Sequence, residues 1–357
     1  MFDKSSQENI DLMIDLHNDV NDDSLLLIAK YYLSEYEIQK TQIKDITQKE
    51  ISLVLKTAEE EKIKRVKFPQ EVKDSVEVSN FFYFCLSQAR AKAPEDYPKT
   101  RLEKQIEKTL NLETYITKVK TKKIISSNII EITFEGGMSN LPDLKNDAFM
   151  YFIVHKDISH KYPRGFSMED FRKMNATEDC PYSAAYYTIR SFRKNEIDVW
   201  FVLHDHPGPL AKWAEEAEKN SEVAIWGPRT TFTPPPDTDN YLFIADETAQ
   251  PAVLASIENL KHNAKFTCLF ETQDQSSRFE YEDNENSIEW IYRGDQKAGE
   301  GTELLEKINQ ISRDPKNLYV FGAGEAKQIS KIRKTLKRNL NLNSDQMSFT
   351  GYWRKTH

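Results

Sequence analysis

The sequence has few cysteines and no long apolar run. Its three cysteines, Cys85, Cys180 and Cys268, lie far apart and form no Cys-X-X-Cys motif. This spacing argues against a disulfide framework, and against an iron–sulfur cluster made by this chain alone. No run of about 18 apolar residues occurs, so a membrane-spanning helix is not expected. The first residues have neither the basic start nor the apolar core of a signal peptide, and we expect a cytoplasmic protein.

An excess of positive charge is also missing. The 357 residues carry a formal net charge of −8, which argues against a general nucleic-acid-binding protein. The chain does have 39% hydrophobic and 11% aromatic residues. At this length, that composition predicts two or three domains with a sizeable core.

The hydrophobic pattern favours three domains. Helical and alternating segments predict an α+β domain over residues 1–98, followed by a charged linking helix at 101–110. Alternating segments then predict the strands of a Greek-key β-barrel over 113–232. After a proline-rich loop, strands and helices alternate over 238–357, which is typical of an α/β domain with a doubly wound parallel sheet.

Two segments of the predicted barrel have the residue types that hold a flavin. Tyr187 and Thr188 form an aromatic–hydroxyl pair on one strand, and residues 208–213 lead from the next strand into a helix. The aromatic ring can lie along the isoalloxazine, the hydroxyl near its reactive edge, and the helix N-terminus at the pyrophosphate. An ordinary strand with one exposed aromatic residue is an equally good interpretation of the first segment alone.

These segments resemble those of the siderophore-interacting protein family of flavin-dependent ferric-siderophore reductases. Three more motifs follow in the family's order: Asp246-Glu247-Thr248-Ala249-Gln250-Pro251-Ala252, Gly324-Glu325-Ala326 and Gly351-Tyr352-Trp353-Arg354. The resemblance covers roughly residues 114–354. It implies a multi-domain fold in which the barrel binds FAD and the last domain is a ferredoxin-reductase-like nucleotide-binding domain.

The resemblance also implies which residues contact the cofactors. At the barrel these are Tyr187, Thr188, Arg190, His204, Gly208, Pro209, Ala211 and Trp213, and on the NAD(P)H side Asp246, Thr248, Ala249, Gly324, Glu325 and Trp353. Two positions depart from the family pattern. Ala185 stands where the family has an arginine that binds the flavin phosphates, and Ala211 where it has a small hydroxyl residue. We therefore expect altered phosphate contacts.

Several of these residues have simpler interpretations. Asp246 or Thr248 could be an ordinary helix N-cap, which is compatible with a dinucleotide at the same helix end. Trp353 could belong to an edge strand at the end of the sheet. The glycine-rich turn at Gly324 is by itself a weak signal. His204 and His206 lack an evident third ligand, so no metal site is predicted.

Positive charge concentrates near the C-terminus. Lysine and arginine greatly outnumber acidic residues between Lys327 and Lys355. A solvated helix face is the common explanation, and a basic rim that attracts an anionic iron chelate or a dinucleotide phosphate is the functional one. The candidate substrate contacts are Lys156, Arg293, Lys331 and Arg354.

The resemblance implies a cytoplasmic FAD-dependent NAD(P)H:ferric-siderophore oxidoreductase that releases ferrous iron. The donor would be NADH or NADPH, with reduced ferredoxin as an alternative donor and partner. No residue is expected to act as a catalytic acid or base, because electrons pass through the flavin. Two alternatives stay open: a general flavin or ferric reductase, and a non-enzymatic binding protein that has lost the cofactor, which Ala185 and Ala211 favour.

The N-terminal domain has a resemblance of its own. Residues 16–29 and the segment Arg65-Val66-Lys67-Phe68-Pro69 resemble the small domain found in some haem-utilisation split-barrel proteins. His17 could contact haem or iron, but a histidine on a helix surface is the simpler interpretation. We expect a packing or dimerisation role for this domain.

Overall fold

The structure is a computed structural model that describes residues 2–177, 179–203, 208–281 and 287–355. Its contacts divide the chain into two units, Met1–Leu110 and Asn111–His357. No helix within these described ranges has both the length and the apolar composition that a bilayer span requires.

The first unit packs helices against an antiparallel sheet with the strand order β1-β2-β3. Asp3 and Asp74 cap α1 and α3 by accepting hydrogen bonds from backbone N–H groups of the first turn, and α2 follows Asn21. The elements are α1 (Lys4–Asp19), α2 (Asp22–Leu27), β1 (Lys40–Ile46), β2 (Glu50–Lys56), β3 (Glu61–Lys67), α3 (Ser75–Lys92) and α4 (Arg101–Leu110).

The predicted helix at 101–110 is present and packs within the first unit. Leu102 is buried in the same core as Leu53 and Phe82. Arg90 on α3 forms an ion pair with Glu103, with its Nε 2.7 Å from Oε1. The first unit therefore extends through α4, beyond residue 98.

The second unit begins with a closed barrel whose strands follow the order β4-β5-β8-β7-β6-β9, and all neighbours in it are antiparallel. Helix α6 packs against the barrel core, where Trp213 is buried and stacks on Phe134 with ring centroids 6.3 Å apart. The elements are β4 (Glu113–Ser126), β5 (Ile129–Glu135), β6 (Phe149–His155), α5 (Met168–Asn175), β7 (Tyr182–Arg193), β8 (Glu196–Val202), α6 (Pro209–Glu216) and β9 (Glu222–Arg229).

The rest of the second unit is a parallel sheet with the strand order β12-β11-β10-β13-β14. Tyr241 and Phe243 of β10 pack in one apolar cluster, and Leu242 and Ile244 pack in another, so the sheet is covered on both faces, as predicted. The elements are β10 (Asn240–Ala245), α7 (Gln250–Ile257), β11 (Lys265–Thr272), β12 (Ser287–Tyr292), α8 (Glu303–Gln310), β13 (Leu318–Glu325), α9 (Ala326–Leu340) and β14 (Met347–Trp353).

A buried aspartate fixes the connection between the barrel and the parallel sheet. Asp147 accepts hydrogen bonds from the backbone N–H groups of Thr231, at 2.9 Å, and Phe232, at 3.1 Å. It also accepts from the hydroxyls of Thr230 and Thr231. Because these donors directly follow β9, the carboxylate sets where the chain leaves the barrel.

Candidate functional site

Strand β7 turns Tyr187 and Thr188 to opposite faces. The Tyr187 ring packs on Phe152 and Phe201, with centroid distances of 5.8 and 4.5 Å, and burial raises the pKa of its phenol. Thr188 is only 4% exposed, and its hydroxyl lies beside the phenol of Tyr352. Neither of these two oxygens makes a hydrogen bond of regular geometry within the described residues. A buried hydroxyl that still has capacity to donate is a suitable contact for a polar ring edge.

Helix α6 follows β8 in the chain and contacts β7. Gly208 is the N-cap and Pro209 the first helical residue, and no side chain of the described residues caps this turn. An added Cβ at Gly208 would meet no atom within 4 Å. Uncapped backbone N–H groups beside open space are the donors that a pyrophosphate requires. Together with the Thr188 hydroxyl, this donor set fits FAD. The Tyr187 ring lies on the other face of β7 and packs on the barrel core.

The two family arginine positions are filled differently. Ala185 packs against the barrel core, so no cation stands at the first position. Arg190 donates from Nη2 to Oε1 of Glu258 at 2.7 Å and lies 5.8 Å from the ring centroid of Trp200. Its guanidinium thus links the barrel to α7, and a phosphate would have to compete with Glu258 for it. His204, another predicted flavin contact, lies outside the described residues.

The carboxyl ends of the parallel strands bring several predicted residues together. Asp246 directly follows β10 and is 5% exposed. It accepts hydrogen bonds from the backbone N–H and hydroxyl of Thr248, and from Nε1 of Trp353 at 2.7 Å. The N-cap of α7 is Ala249, so the interpretation of Asp246 or Thr248 as the cap is wrong. The Asp246 carboxylate instead closes the turn before the helix.

The glycine-rich turn lies beside this carboxylate. Gly324 has a φ of +154°, and an added Cβ would lie 2.7 Å from Oδ2 of Asp246. The next residue, Glu325, is the N-cap of α9 and accepts hydrogen bonds from the backbone N–H groups of Lys327 and Gln328 at 2.8 and 2.9 Å. A protein carboxylate therefore already satisfies this helix N-terminus.

A buried polar cluster completes the same edge of the sheet. Arg293, predicted as a substrate contact, is 8% exposed and pairs with Glu247, with Nη1 2.7 Å from Oε1. Glu271, at the end of β11, accepts a hydrogen bond from Nε2 of Gln328 at 3.0 Å. Gly301 leaves room for that carboxylate, since an added Cβ would lie 2.3 Å from it.

Crowding of carboxylates changes the protonation of this edge. Burial, reinforced by the neighbouring Glu247, raises the pKa of Asp246 to about 6. Burial also raises the pKa of Glu271 to about 7, and the charges of Asp246 and Glu247 add to that rise while Gln328 and Arg293 oppose it. Both groups therefore bind protons near neutral pH more readily than free carboxyls do.

The other predicted substrate contacts are spread over the surface. Lys156 follows β6, Lys331 lies on α9 and Arg354 follows β14, and all three are exposed. The apolar residues Ile329, Ile332, Leu336 and Leu340 of α9 are buried, and Arg333 is buried with them, so it does not belong to the exposed basic surface. Within the described residues, no group of His, Cys, Asp and Glu is arranged to hold a metal ion.

We call the buried polar side chains Glu247, Glu271, Arg293 and Gln328 the carboxyl-end cluster. The sequence did not indicate three of them: Glu247, as the partner of Arg293, and the hydrogen-bonded pair Glu271 and Gln328. Glu247 lies inside a motif that the sequence did single out. Glu271 follows an apolar strand, and a charged residue at the end of a predicted parallel strand was the available signal.

Two family models match most of the chain. The siderophore-interacting FAD-binding domain matches residues 118–232, and the siderophore-interacting protein domain matches residues 238–356. The chain is 24% identical over 238 residues to the ferric vibriobactin reductase ViuB of Vibrio cholerae, covering 66% of this chain and 87% of that protein.

Solved structures show the same fold at low identity. A siderophore utilization protein from T. fusca superposes with a TM-score of 0.58 at 24% identity, covering 68% of this chain and 94% of that one. The ferredoxin reductase in carbazole 1,9a-dioxygenase gives a TM-score of 0.50 at 10% identity, with 68% and 70% covered. The barrel and parallel sheet thus have the ferredoxin-reductase-like arrangement, and the chain belongs to the siderophore-interacting protein family.

Proposed function

We propose that this chain is an FAD-dependent oxidoreductase that reduces a ferric siderophore in the cytoplasm and thereby releases ferrous iron. The main support is the presence of two features in one barrel: the buried Thr188 hydroxyl and the uncapped N-terminus of α6. This barrel matches an FAD-binding family model. The relative ViuB, named a ferric vibriobactin reductase, agrees with this activity.

The chain's own residues would hold and orient the cofactor. The Thr188 hydroxyl would face the polar edge of the isoalloxazine, and the first turn of α6 from Gly208 would bind the pyrophosphate. For its ring to lie along the isoalloxazine, Tyr187 would have to turn out of the barrel core. When bound, FAD supplies the ability to take up two electrons and release them one at a time. Since Ala185 provides no cation, we expect the phosphate contacts to rely mainly on backbone N–H groups.

The carboxyl end of the sheet would face the electron donor. Glu325 occupies the N-terminus of α9, and Asp246, Glu247 and Glu271 place further carboxyl groups nearby. Such an edge repels a phosphate, and its negative charge would stabilise the positive charge that a nicotinamide ring acquires when it gives up a hydride. We therefore propose that the nicotinamide end of NADH or NADPH, and not its phosphates, approaches the edge marked by Asp246 and Trp353.

The ferric chelate requires only docking close to the cofactor. Chelators built for ferric iron hold ferrous iron far less strongly, so a single electron releases the metal without any catalytic acid or base. The exposed cations Lys156, Lys331 and Arg354 would attract an anionic chelate.

An absorption spectrum of the purified protein, recorded before and after titration with FAD, tests this function. We expect a bound-flavin spectrum that NADH or NADPH bleaches and a ferric siderophore restores under anaerobic conditions. Reduced ferredoxin, tested in parallel, identifies the alternative donor. Failure to retain flavin with FAD in large excess would overturn the proposal in favour of a binding protein without cofactor. Equal turnover of free flavin and unrelated ferric chelates would instead indicate a general reductase.

A further inference from the structure

An aromatic surface lies on the outside of the barrel, where three neighbouring strands meet. In the strand register, Tyr151 of β6 pairs with Tyr186 of β7 on one side and with Trp226 of β9 on the other, and Phe149 pairs with Arg229. We call this surface the Tyr186 platform; it consists of Phe149, Tyr151, Arg172, Tyr186, Trp226 and Arg229.

The rings of the platform support one another. The centroids of Tyr151 and Tyr186 are 4.7 Å apart, and Phe149 meets Tyr186 edge-on at 5.4 Å. The buried ring of Phe171 on α5 also packs edge-on against Tyr151, with the ring centroids 6.0 Å apart. Although it is held in this way, Tyr186 remains 45% exposed. The platform thus offers a fixed aromatic face to solvent.

Two guanidinium groups lie over these rings. Arg229 lies 5.6 Å from the centroid of Phe149 and 5.5 Å from that of Tyr186, and its Nη1 donates to the Tyr186 hydroxyl at 3.0 Å. Arg172 lies 5.9 Å from the centroid of Trp226. Within the described ranges, neither guanidinium has a carboxylate partner. The positive charge of both is therefore available to a ligand.

An exposed aromatic face combined with unpaired planar cations suits one ligand chemistry. A flat aromatic ring that carries anionic oxygens can stack on Tyr186 and place its oxygens against the guanidinium groups. An aliphatic hydroxamate chelate has no ring to stack and gains only the charge attraction.

We propose that the Tyr186 platform binds the aromatic arms of an iron chelate, and so selects catecholate or phenolate siderophores over aliphatic hydroxamates. This inference rests on the proposed function and specifies its substrate class. Tyr186 and Tyr187 point to opposite faces of β7, so the platform shares its face with Thr188 and not with Tyr187.

Gallium complexes test binding without any redox step. Ga(III)–2,3-dihydroxybenzoate and Ga(III)–acetohydroxamate are each titrated into the full-length protein, and binding is followed by quenching of its intrinsic fluorescence. We expect Tyr186→Leu and Arg229→Gln each to weaken binding of the catecholate complex by about threefold to tenfold. Binding of the hydroxamate complex should change little. Tyr83→Leu is the matched control, since Tyr83 is also 45% exposed but lies on α3.

A conservative variant at Arg229 distinguishes loss of the binding contact from loss of folding. Arg229→Lys keeps the charge but loses the planar group, and we expect it to weaken catecholate binding as well. Equal weakening of both complexes, or unchanged catecholate binding in all three platform variants, would overturn the inference. If the gallium complexes are discriminated as expected but no ferric chelate is reduced, the platform stands as a binding site and the proposed reductase function fails.

Discussion

Trp353 donates a hydrogen bond from Nε1 to Oδ2 of Asp246 at 2.7 Å. The two residues lie at the ends of β14 and β10, and β13 runs between those strands. The bond is possible because Gly324, at the end of β13, has no side chain: an added Cβ would lie 2.7 Å from the same oxygen. Two family motifs and the C-terminal strand thus meet at a single buried carboxylate.

Replacing Gly324 should disturb this arrangement. In Gly324→Ala the new Cβ would meet Asp246, and the backbone φ of +154° is one that L residues rarely adopt. We expect the free energy of unfolding, measured in urea, to fall by about 2 kcal/mol or more. Gly208→Ala is the control, because its Cβ enters open space at an ordinary φ of −63°. A loss no larger than that of the control would contradict the crowding.

Removing the Trp353 donor should have a pH-dependent effect. The bond stabilises the ionised form of Asp246, whose pKa burial raises to about 6. In Trp353→Phe the free energy of unfolding should therefore fall more at pH 8, by about 1–3 kcal/mol, than at pH 5, where the carboxyl is largely protonated. Urea unfolding at the two pH values measures the difference. Equal losses would mean that only ring packing was removed.

Glu271 should make the protein less stable as the pH rises. Its pKa is raised from 4.5 to about 7, mainly by burial, so the folded state binds the proton more tightly than the unfolded state. The stability it contributes is full below pH 4.5 and is lost as the pH rises through 7. Glu271→Gln should remove the part of this slope above about pH 6, where Asp246 has largely titrated, and should be more stable than the wild type at pH 8 by about 2–3 kcal/mol. The exposed Glu61→Gln should leave the slope unchanged, and a slope above about pH 6 that persists in Glu271→Gln would refute the assignment.

Arg293 can be tested as a structural or a substrate-binding residue. Its guanidinium is buried against Glu247, so Arg293→Met alone should cost about 3–5 kcal/mol of stability by leaving a buried charge unpaired. The double variant Glu247→Gln/Arg293→Met should recover part of that loss. A raised KM for the ferric chelate with no loss of stability would support the substrate contact that the sequence predicted.

Most elements could be predicted because their burial pattern is local. Strand β9 is harder to predict, because Val223, Ala224 and Ile225 are all fully buried and show no alternation. The carboxyl-end cluster was only partly foreseen for a different reason. Glu271 and Gln328 are 57 positions apart, and Glu247 and Arg293 are 46 apart. Such pairings depend on strand order, which a single sequence does not display.

The departure from the family pattern at Ala185 is visible in the sequence. The ion pair that engages Arg190 is not. The second family arginine is present, but its ion pair with Glu258 joins two parts of the fold that are 68 positions apart. A motif match identifies a residue type, and the neighbours that compete for its charge come from other elements.

Thr188→Val separates a role in flavin binding from a role in folding. The hydroxyl is buried without a regular hydrogen bond, so its replacement by an isosteric methyl group should change the stability of the flavin-free protein by less than about 1 kcal/mol. If that hydroxyl contacts the flavin, the Kd for FAD should rise about tenfold. Tyr352→Phe is the matched control, because it removes the neighbouring hydroxyl from outside the barrel. Equal effects of the two variants on FAD affinity would show that the Thr188–Tyr352 contact, and not a direct contact from Thr188, matters for the cofactor.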